Sequence, residues 1–160
     1  MEIEIAFFLG EDIEGPGVTS AQVMSATAYV APALEIIDSR YKNFQFTLPD
    51  VIADNASASR VVIGNKLTPL SSLTTDLELI GAVLYINGEL KANGAGAAIL
   101  NHPANSIAAL ANMLARSGKK LQAGDIILAG AITEAIMLAN GDVVHGKLDQ
   151  LGDVSFAVRD

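Results

Sequence analysis

Residues 2–9 read EIEIAFFL, and this stretch decides the fold because it opens with a strict alternation of acidic and apolar side chains. In an extended chain, alternate side chains lie on opposite faces. The alternation runs to Phe7 and places Glu2, Glu4 and Ala6 together on one face. We therefore predict a β-strand with one buried apolar face and one acidic face.

The segment after this strand predicts a short helix followed by a buried strand. Thr19, with Gln22 three residues later, forms a capping-box pattern that predicts a helix to about Tyr29. Pro32 is expected to end the helix, because proline lacks the amide hydrogen that a helix interior needs. Residues 33–39 form a mostly apolar run that predicts a buried strand.

Turn and periodicity signals predict the remaining elements. Asn87-Gly88 between two extended runs predicts a hairpin, and Gly118 marks the end of the one long helix. The predicted segments are a short helix near residues 50–55, a strand over 60–64, hairpin strands over 77–86 and 89–92, the long helix over 104–116, and short strands separated by turns at 123–125, 140–142 and 151–153. This order predicts one α+β domain over residues 1–160, β-rich, with one long and two short helices.

The composition of the chain excludes several classes of function. Its 160 residues carry a net charge of −8, which opposes binding to the phosphate backbone of nucleic acids. The chain has no cysteine, so disulfides and thiolate metal sites are excluded and any metal ligand is an oxygen or a histidine. Apolar runs stay well short of the ~20 residues of a membrane span and no export segment is recognised, so we expect a cytoplasmic protein.

Three glutamates are the candidate metal ligands. Glu2 and Glu4 have Cα atoms ~7 Å apart on a strand, so both carboxylates can reach one point, although alternating glutamates are also common on solvent-facing strands. Glu35 lies within an apolar run, where an ionised carboxylate needs a cationic partner. That partner is either a metal ion or a base such as Arg40, and the residues alone leave both open. A site of three carboxylates suits Mg²⁺ or Mn²⁺.

The remaining polar residues give weaker evidence for a catalytic or binding role. His102 and His145 have no second histidine at a metal-binding spacing, so we interpret both as structural or surface residues. Ser57 lies in a turn, where its hydroxyl either caps the turn or binds an anionic ligand. Residues 94–96 lack the third glycine of a dinucleotide fingerprint. A seryl nucleophile is also disfavoured, since the chain has no nucleophile-elbow motif.

Six segments carry a resemblance to a known family. They are EIEIAF at residues 2–7, PALEIIDSR at 32–40, ADNAS at 53–57, NGE at 87–89, GAGAA at 94–98 and AGDIIL at 123–128. On these segments the chain resembles the hydratase and decarboxylase branch of the fumarylacetoacetate hydrolase superfamily over its whole length. Within that branch, residues 40–44, 56–60 and 130–133 are more similar to the 4-oxalocrotonate decarboxylases than to the hydratases.

The resemblance implies a mixed β-roll fold of the fumarylacetoacetate hydrolase type. It implies that Glu2, Glu4 and Glu35 hold Mg²⁺ or Mn²⁺ and that Ser57 and Thr133 contact a small-molecule substrate. The implied reaction is decarboxylation of 2-oxo-3-hexenedioate (4-oxalocrotonate) to 2-hydroxypenta-2,4-dienoate in the meta-cleavage degradation of aromatic compounds. Hydration of 2-keto-4-pentenoate is the alternative. The resemblance also implies a homo-oligomer that associates with a sister hydratase.

Two departures from the family pattern bear on these expectations. The family motif Leu-Gly-His-Pro reads LNHP at residues 100–103, which changes the expected loop conformation. No stretch of residues 1–160 matches the family's amino-terminal segment, whose lysine serves acid-base chemistry, and Lys66 matches no family motif. We therefore expect the carboxyl-terminal catalytic domain, with no catalytic lysine assigned. An inactive paralogue that acts as an assembly subunit is a third alternative.

Overall fold

The computed structural model describes residues 1–159, which form two antiparallel β-sheets and three α-helices. The strands are β1 (Glu2–Leu9), β2 (Thr27–Ile37), β3 (Ala58–Ile63), β4 (Thr68–Pro69), β5 (Gly81–Ile86), β6 (Glu89–Ala95), β7 (Ile126–Leu128), β8 (Val143–Leu148) and β9 (Gly152–Ala157). The helices are α1 (Ser20–Ala26), α2 (Leu48–Ala53) and α3 (Pro103–Ala115).

The two sheets enclose one hydrophobic core. The first sheet has the strand order β3-β2-β1-β7, with β4 also paired to β2, and the second has the order β6-β5-β8-β9. Ile3, Ile5 and Phe7 of β1 are fully buried in the core. At Gly146 of β8 the sheets approach so closely that a Cβ atom would lie 2.9 Å from Ile3 Cδ1. The α+β fold predicted from the sequence is confirmed.

Several local predictions are confirmed. The capping box that begins α1 is formed by Thr19 and Gln22. The hairpin between β5 and β6 turns at Asn87-Gly88, whose φ angles are 54° and 81°. α3 is the long helix and begins with Pro103, while α1 and α2 are the two short ones. Over residues 1–159, no helix is long and apolar enough to cross a membrane.

The boundary between α1 and β2 differs from the prediction. The helix ends at Ala26 instead of near Tyr29, and the strand that follows begins at Thr27 and continues through Pro32. β2 pairs with β1 along nearly its whole length, so tertiary pairing decides where the strand begins. Pro32 is tolerated because it lies between the residues of β2 that pair with β4 and those that pair with β3.

The strand predicted over residues 77–86 also begins later, at Gly81. Leu77–Leu79 form a 3₁₀ turn instead, and the Ile80 amide donates to the Leu77 carbonyl oxygen at 3.3 Å. Leu77 and Ile80 are both fully buried. A spacing of three residues between buried side chains suits a 3₁₀ turn and does not suit the alternation of a strand.

Candidate metal centre

The side chains of Glu2, Glu4 and Glu35 converge on the face of the first sheet that points away from the core. The antiparallel register of β1 and β2 pairs Glu2 directly with Glu35, and Glu4 follows on the same face of β1. Each glutamate offers one carboxylate oxygen, and these oxygens all lie within 4.8 Å of one another. The fold therefore brings together the three candidate ligands.

The three carboxylates differ in burial, and the pKa values of two of them are raised. Glu4 is 2% exposed, whereas Glu2 and Glu35 are partly exposed. Burial, together with the neighbouring carboxylates of Glu35 and Glu2, raises the pKa of Glu4 to about 8, although the hydrogen bond from the Gly130 amide opposes the shift. Burial and then the charge of Glu35 also raise the pKa of Glu2. Without a cation, the cluster therefore retains a proton at neutral pH.

A divalent cation fits this cluster better than a side-chain base does. Within residues 1–159, no Lys, Arg or His side chain forms an ion pair with any of the three glutamates. Arg40 forms its ion pair with Asp54, so the alternative that it neutralises Glu35 is wrong. Three oxygen donors around one point, with no sulfur or nitrogen donor among them, match the ligand preference of hard cations such as Mg²⁺.

Residues 129–136 run beside β1 as an irregular extension of the sheet and frame this centre. The Ala129 amide donates to the Ile5 carbonyl oxygen at 3.1 Å. The next amide, of Gly130, donates to Glu4 Oε2 at 2.6 Å. Gly130 has a φ angle of 111°, which glycine adopts without the steric cost that a side chain would add. The sequence analysis missed this contact, and its only signal was a glycine placed shortly after β7.

Comparison with known proteins agrees with this geometry. The family model for the carboxyl-terminal part of fumarylacetoacetate (FAA) hydrolase matches residues 1–159. The chain belongs to this family. 4-Oxalocrotonate decarboxylase from Pseudomonas sp. (strain CF600) is 44% identical over 155 residues, which cover 97% of this chain and 58% of that relative. 2-Keto-4-pentenoate hydratase from Paraburkholderia xenovorans (strain LB400) is 40% identical over 154 residues, which cover 96% of this chain and 56% of that relative.

A solved structure shares the fumarylacetoacetate hydrolase fold. 4-Oxalocrotonate decarboxylase from Pseudomonas putida G7, complexed with magnesium and adipate, matches with a TM-score of 0.93 and 42% sequence identity. The match covers 98% of this chain and 59% of that structure. The chain thus spans less than two thirds of the length of the relatives that it matches.

Ser57, which the family resemblance marks as a substrate contact, is 2% exposed and forms hydrogen bonds within a turn. Its hydroxyl donates to Asp54 Oδ2 at 3.0 Å, and its carbonyl oxygen accepts from the Asp38 amide at 2.8 Å. Asp38 lies just beyond the end of β2 that carries Glu35. The structure thus shows Ser57 holding a turn at this end of the sheet, and contact with substrate stays a prediction.

Thr133 is the second residue expected to contact substrate. It is partly exposed and lies in the segment over residues 129–136, which runs beside β1 and contacts Glu4. Its Oγ1 donates to the Glu134 carbonyl oxygen at 3.4 Å, a weak contact that leaves the side chain available to a ligand. Its place in the framing segment is consistent with the expectation, and the contact itself stays a prediction.

Both histidines form hydrogen bonds that suit structural roles. His102 caps α3, since its Nδ1 accepts from the Ala104 amide at 3.0 Å, and its Nε2 lies 2.8 Å from Asp76 Oδ1. Because Nδ1 is the acceptor, the hydrogen of a neutral ring lies on Nε2, facing Asp76. His145 Nε2 lies 3.0 Å from Asp153 Oδ2 on the second sheet. Neither histidine belongs to the glutamate cluster.

An open groove of about 560 Å³ lies beside the ends of β1 and β2 that carry Glu2 and Glu35. Its lining is mainly apolar and includes residues 36–37 and 135–138, and Asp38 and Arg60 contribute charged side chains. The three glutamates do not line it. The groove therefore offers an apolar surface next to the glutamate cluster and is separate from it.

Proposed function

We propose that the chain holds Mg²⁺ or Mn²⁺ through Glu2, Glu4 and Glu35 and that this site is the active centre of a lyase. The proposed reaction is decarboxylation of 2-oxo-3-hexenedioate (4-oxalocrotonate) to 2-hydroxypenta-2,4-dienoate. The observation that carries the proposal is the convergence of three carboxylates that form no ion pair with a Lys, Arg or His side chain of residues 1–159. The choice of reaction is supported by the 44% identity to a 4-oxalocrotonate decarboxylase.

The ligand in the similar solved structure also supports this substrate class. Adipate, present there with magnesium, is a linear six-carbon dicarboxylate. The proposed substrate has the same carbon skeleton, with a 2-oxo group and one double bond added. A small dicarboxylate with an oxygen next to one carboxyl group is therefore the proposed partner of this centre.

The contribution of the chain is to hold three negative charges in place on a rigid scaffold. The ladder between β1 and β2 fixes Glu2 opposite Glu35, and the Gly130 amide orients Glu4. Burial of Glu4 lowers the local dielectric and strengthens its interaction with any bound charge. When bound, a divalent cation supplies positive charge that stabilises the negative charge developing on the 2-oxo oxygen as carbon dioxide leaves.

Hydration of 2-keto-4-pentenoate is the second candidate function. It is favoured by the 40% identity to a 2-keto-4-pentenoate hydratase. That match covers 96% of this chain, and the match to the decarboxylase covers 97%. Both reactions act on small 2-oxo acids or their enols, so the same three carboxylates would serve either. Analysis of the products separates the two, since only decarboxylation releases carbon dioxide.

The experiment combines metal binding with turnover. We expect the purified chain to bind Mn²⁺ in calorimetry and to release carbon dioxide from 2-oxo-3-hexenedioate when Mg²⁺ is present. The variant Glu35→Gln should lose both, because the amide removes one anionic ligand and keeps the shape of the side chain. Glu14→Gln, an exposed glutamate outside the cluster, is the matched control and should lose neither.

The outcomes separate the candidates. Mn²⁺ binding without carbon dioxide release, but with hydration of 2-keto-4-pentenoate, favours the second reaction. Binding of Mn²⁺ with neither reaction rules out both activities for this chain alone. A wild-type chain that does not bind Mn²⁺, or a Glu35→Gln variant that binds it as tightly as wild type, contradicts the proposed metal centre.

A further inference from the structure

The peptide group between Ala129 and Gly130 is hydrogen-bonded at both of its ends. Its amide donates to Glu4 Oε2 at 2.6 Å. Its carbonyl oxygen accepts from Ser106 Oγ, also at 2.6 Å. A peptide group held at both ends is fixed in orientation, and each of its hydrogen bonds polarises the other. Ser106 in α3 is thereby connected to a candidate metal ligand on β1 through a single rigid unit.

Ser106 has a second possible acceptor, so its hydroxyl could instead serve only the local structure of α3. Its Oγ lies 2.8 Å from the Pro103 carbonyl oxygen, a contact within the same helix. Such contacts are common for serine in helices and need no functional reason. A hydroxyl has only one hydrogen, however, and the contact to Ala129 is the shorter of the two. It is also the contact that joins α3 to the segment framing the metal centre.

We infer that Ser106 is a positioning residue for Glu4, acting through the peptide that joins Ala129 to Gly130. This inference rests on the proposed function insofar as it concerns metal affinity. Ala129 is 3% exposed, so removal of the Ser106 hydroxyl deprives a buried carbonyl of a donor that water cannot easily replace. The peptide then loses one of the two hydrogen bonds that fix its orientation, and its amide holds Glu4 less firmly.

Metal affinity gives the first readout. We expect Ser106→Ala to weaken Mn²⁺ binding about three- to tenfold in calorimetry, the range for loss of one net hydrogen bond. Ser106→Thr keeps the hydroxyl and should restore most of the affinity. Ser72→Ala is the matched control, because Ser72 Oγ donates to the Pro69 carbonyl oxygen at 2.7 Å, the same serine-to-proline contact three residues apart. It should leave Mn²⁺ affinity unchanged.

The Gly130 amide gives a second readout that needs no metal. In NMR spectra of the metal-free chain, this amide should exchange with solvent slowly in wild type, Ser72→Ala and Ser106→Thr, and at least several-fold faster in Ser106→Ala. A role of Ser106 confined to the stability of α3 would not single out this amide. The expected pattern is therefore faster exchange at Gly130 together with weaker Mn²⁺ binding, both in Ser106→Ala alone.

Other results overturn the inference. Equal Mn²⁺ affinity in Ser106→Ala and Ser72→Ala contradicts it, and so does weaker binding without a change at the Gly130 amide. If wild type binds no Mn²⁺, the proposed function fails, and the amide readout then decides the positioning role by itself. Unchanged exchange in Ser106→Ala would in that case reject the role.

Discussion

Thr68 is 3% exposed, and its hydroxyl oxygen has no hydrogen-bond partner in the described part of the chain. A buried polar group without a partner costs stability, because it loses water and gains nothing in return. We predict that Thr68→Val raises the free energy of unfolding by about 1 kcal/mol. Valine has nearly the same shape and removes the unpaired hydroxyl. Denaturant unfolding monitored by circular dichroism measures the change.

Thr27 provides the matched control for this prediction. It is also buried in the first sheet, at 8% exposure, but its Oγ1 donates to the Val23 carbonyl oxygen at 2.7 Å. Thr27→Val should therefore lower the free energy of unfolding by about 1 kcal/mol. Opposite signs for the two substitutions support the explanation, and destabilisation by both would mean that Thr68 has a partner in solution.

At the level of single residues, the sequence predicted the metal centre only as far as local pattern reaches. The period of two places Glu2 and Glu4 on one face, and the apolar run around Glu35 predicts a cationic partner for its carboxylate. The convergence of Glu35 with Glu2 depends on the register of β1 and β2, which is a property of the folded sheet. The Gly130 contact spans 126 residues, so no local signal could predict it.

At the level of elements, predictions held where local signals were strong and failed where tertiary pairing decided the boundary. The Asn87-Gly88 turn and the proline at the start of α3 fix their elements locally. By contrast, the sequence predicts that α1 continues to Tyr29, whereas in the structure the residues from Thr27 onward pair with β1 as a strand. Hydrogen bonds to the neighbouring strand stabilise these residues more than another helical turn would, because a helix gains most of its stability from tertiary packing.

Asn112 of α3 forms three hydrogen bonds with the loop before α1. Asn112 Oδ1 accepts from the amides of Gly17 and Val18 at 2.7 and 2.9 Å, and its Nδ2 donates to the Val18 carbonyl oxygen at 3.0 Å. We predict that Asn112→Ala lowers the free energy of unfolding by about 2 kcal/mol, since three hydrogen bonds are lost together. Thermal unfolding with calorimetric enthalpies measures the loss.

The control for this prediction lies in the same helix. Asn105 makes one side-chain contact, from Nδ2 to the Leu100 carbonyl oxygen at 2.9 Å, and this contact is exposed. Asn105→Ala should therefore cost less than about 1 kcal/mol. Alanine has a higher helix propensity than asparagine at both positions, so propensity cannot explain a loss. Equal losses for the two variants would therefore contradict the assignment of the Asn112→Ala effect to the contact with the loop.

For the whole molecule, the acidic cluster links stability to pH and to metal binding. Glu4 has a pKa raised to about 8 in the folded chain, against an ordinary value of 4.5. Between these two values the folded chain binds a proton that the unfolded chain releases. The contribution of Glu4 to the stability of the metal-free chain therefore falls as pH rises from 4.5 to about 8. A cation reverses this trend, because it replaces the proton and binds best when the carboxylate is ionised.

We predict that the melting temperature of the metal-free wild type decreases between pH 5 and pH 8. The decrease should be smaller in Glu4→Gln, because its amide does not titrate. Excess Mg²⁺ should raise the melting temperature of wild type by a larger amount at pH 8 than at pH 6, since at pH 6 the cation must displace a proton. Scanning calorimetry at fixed ionic strength provides the measurement, and Glu4→Gln should show no such stabilisation. If wild type and Glu4→Gln have the same pH dependence without metal, Glu4 does not hold the proton and the prediction is wrong.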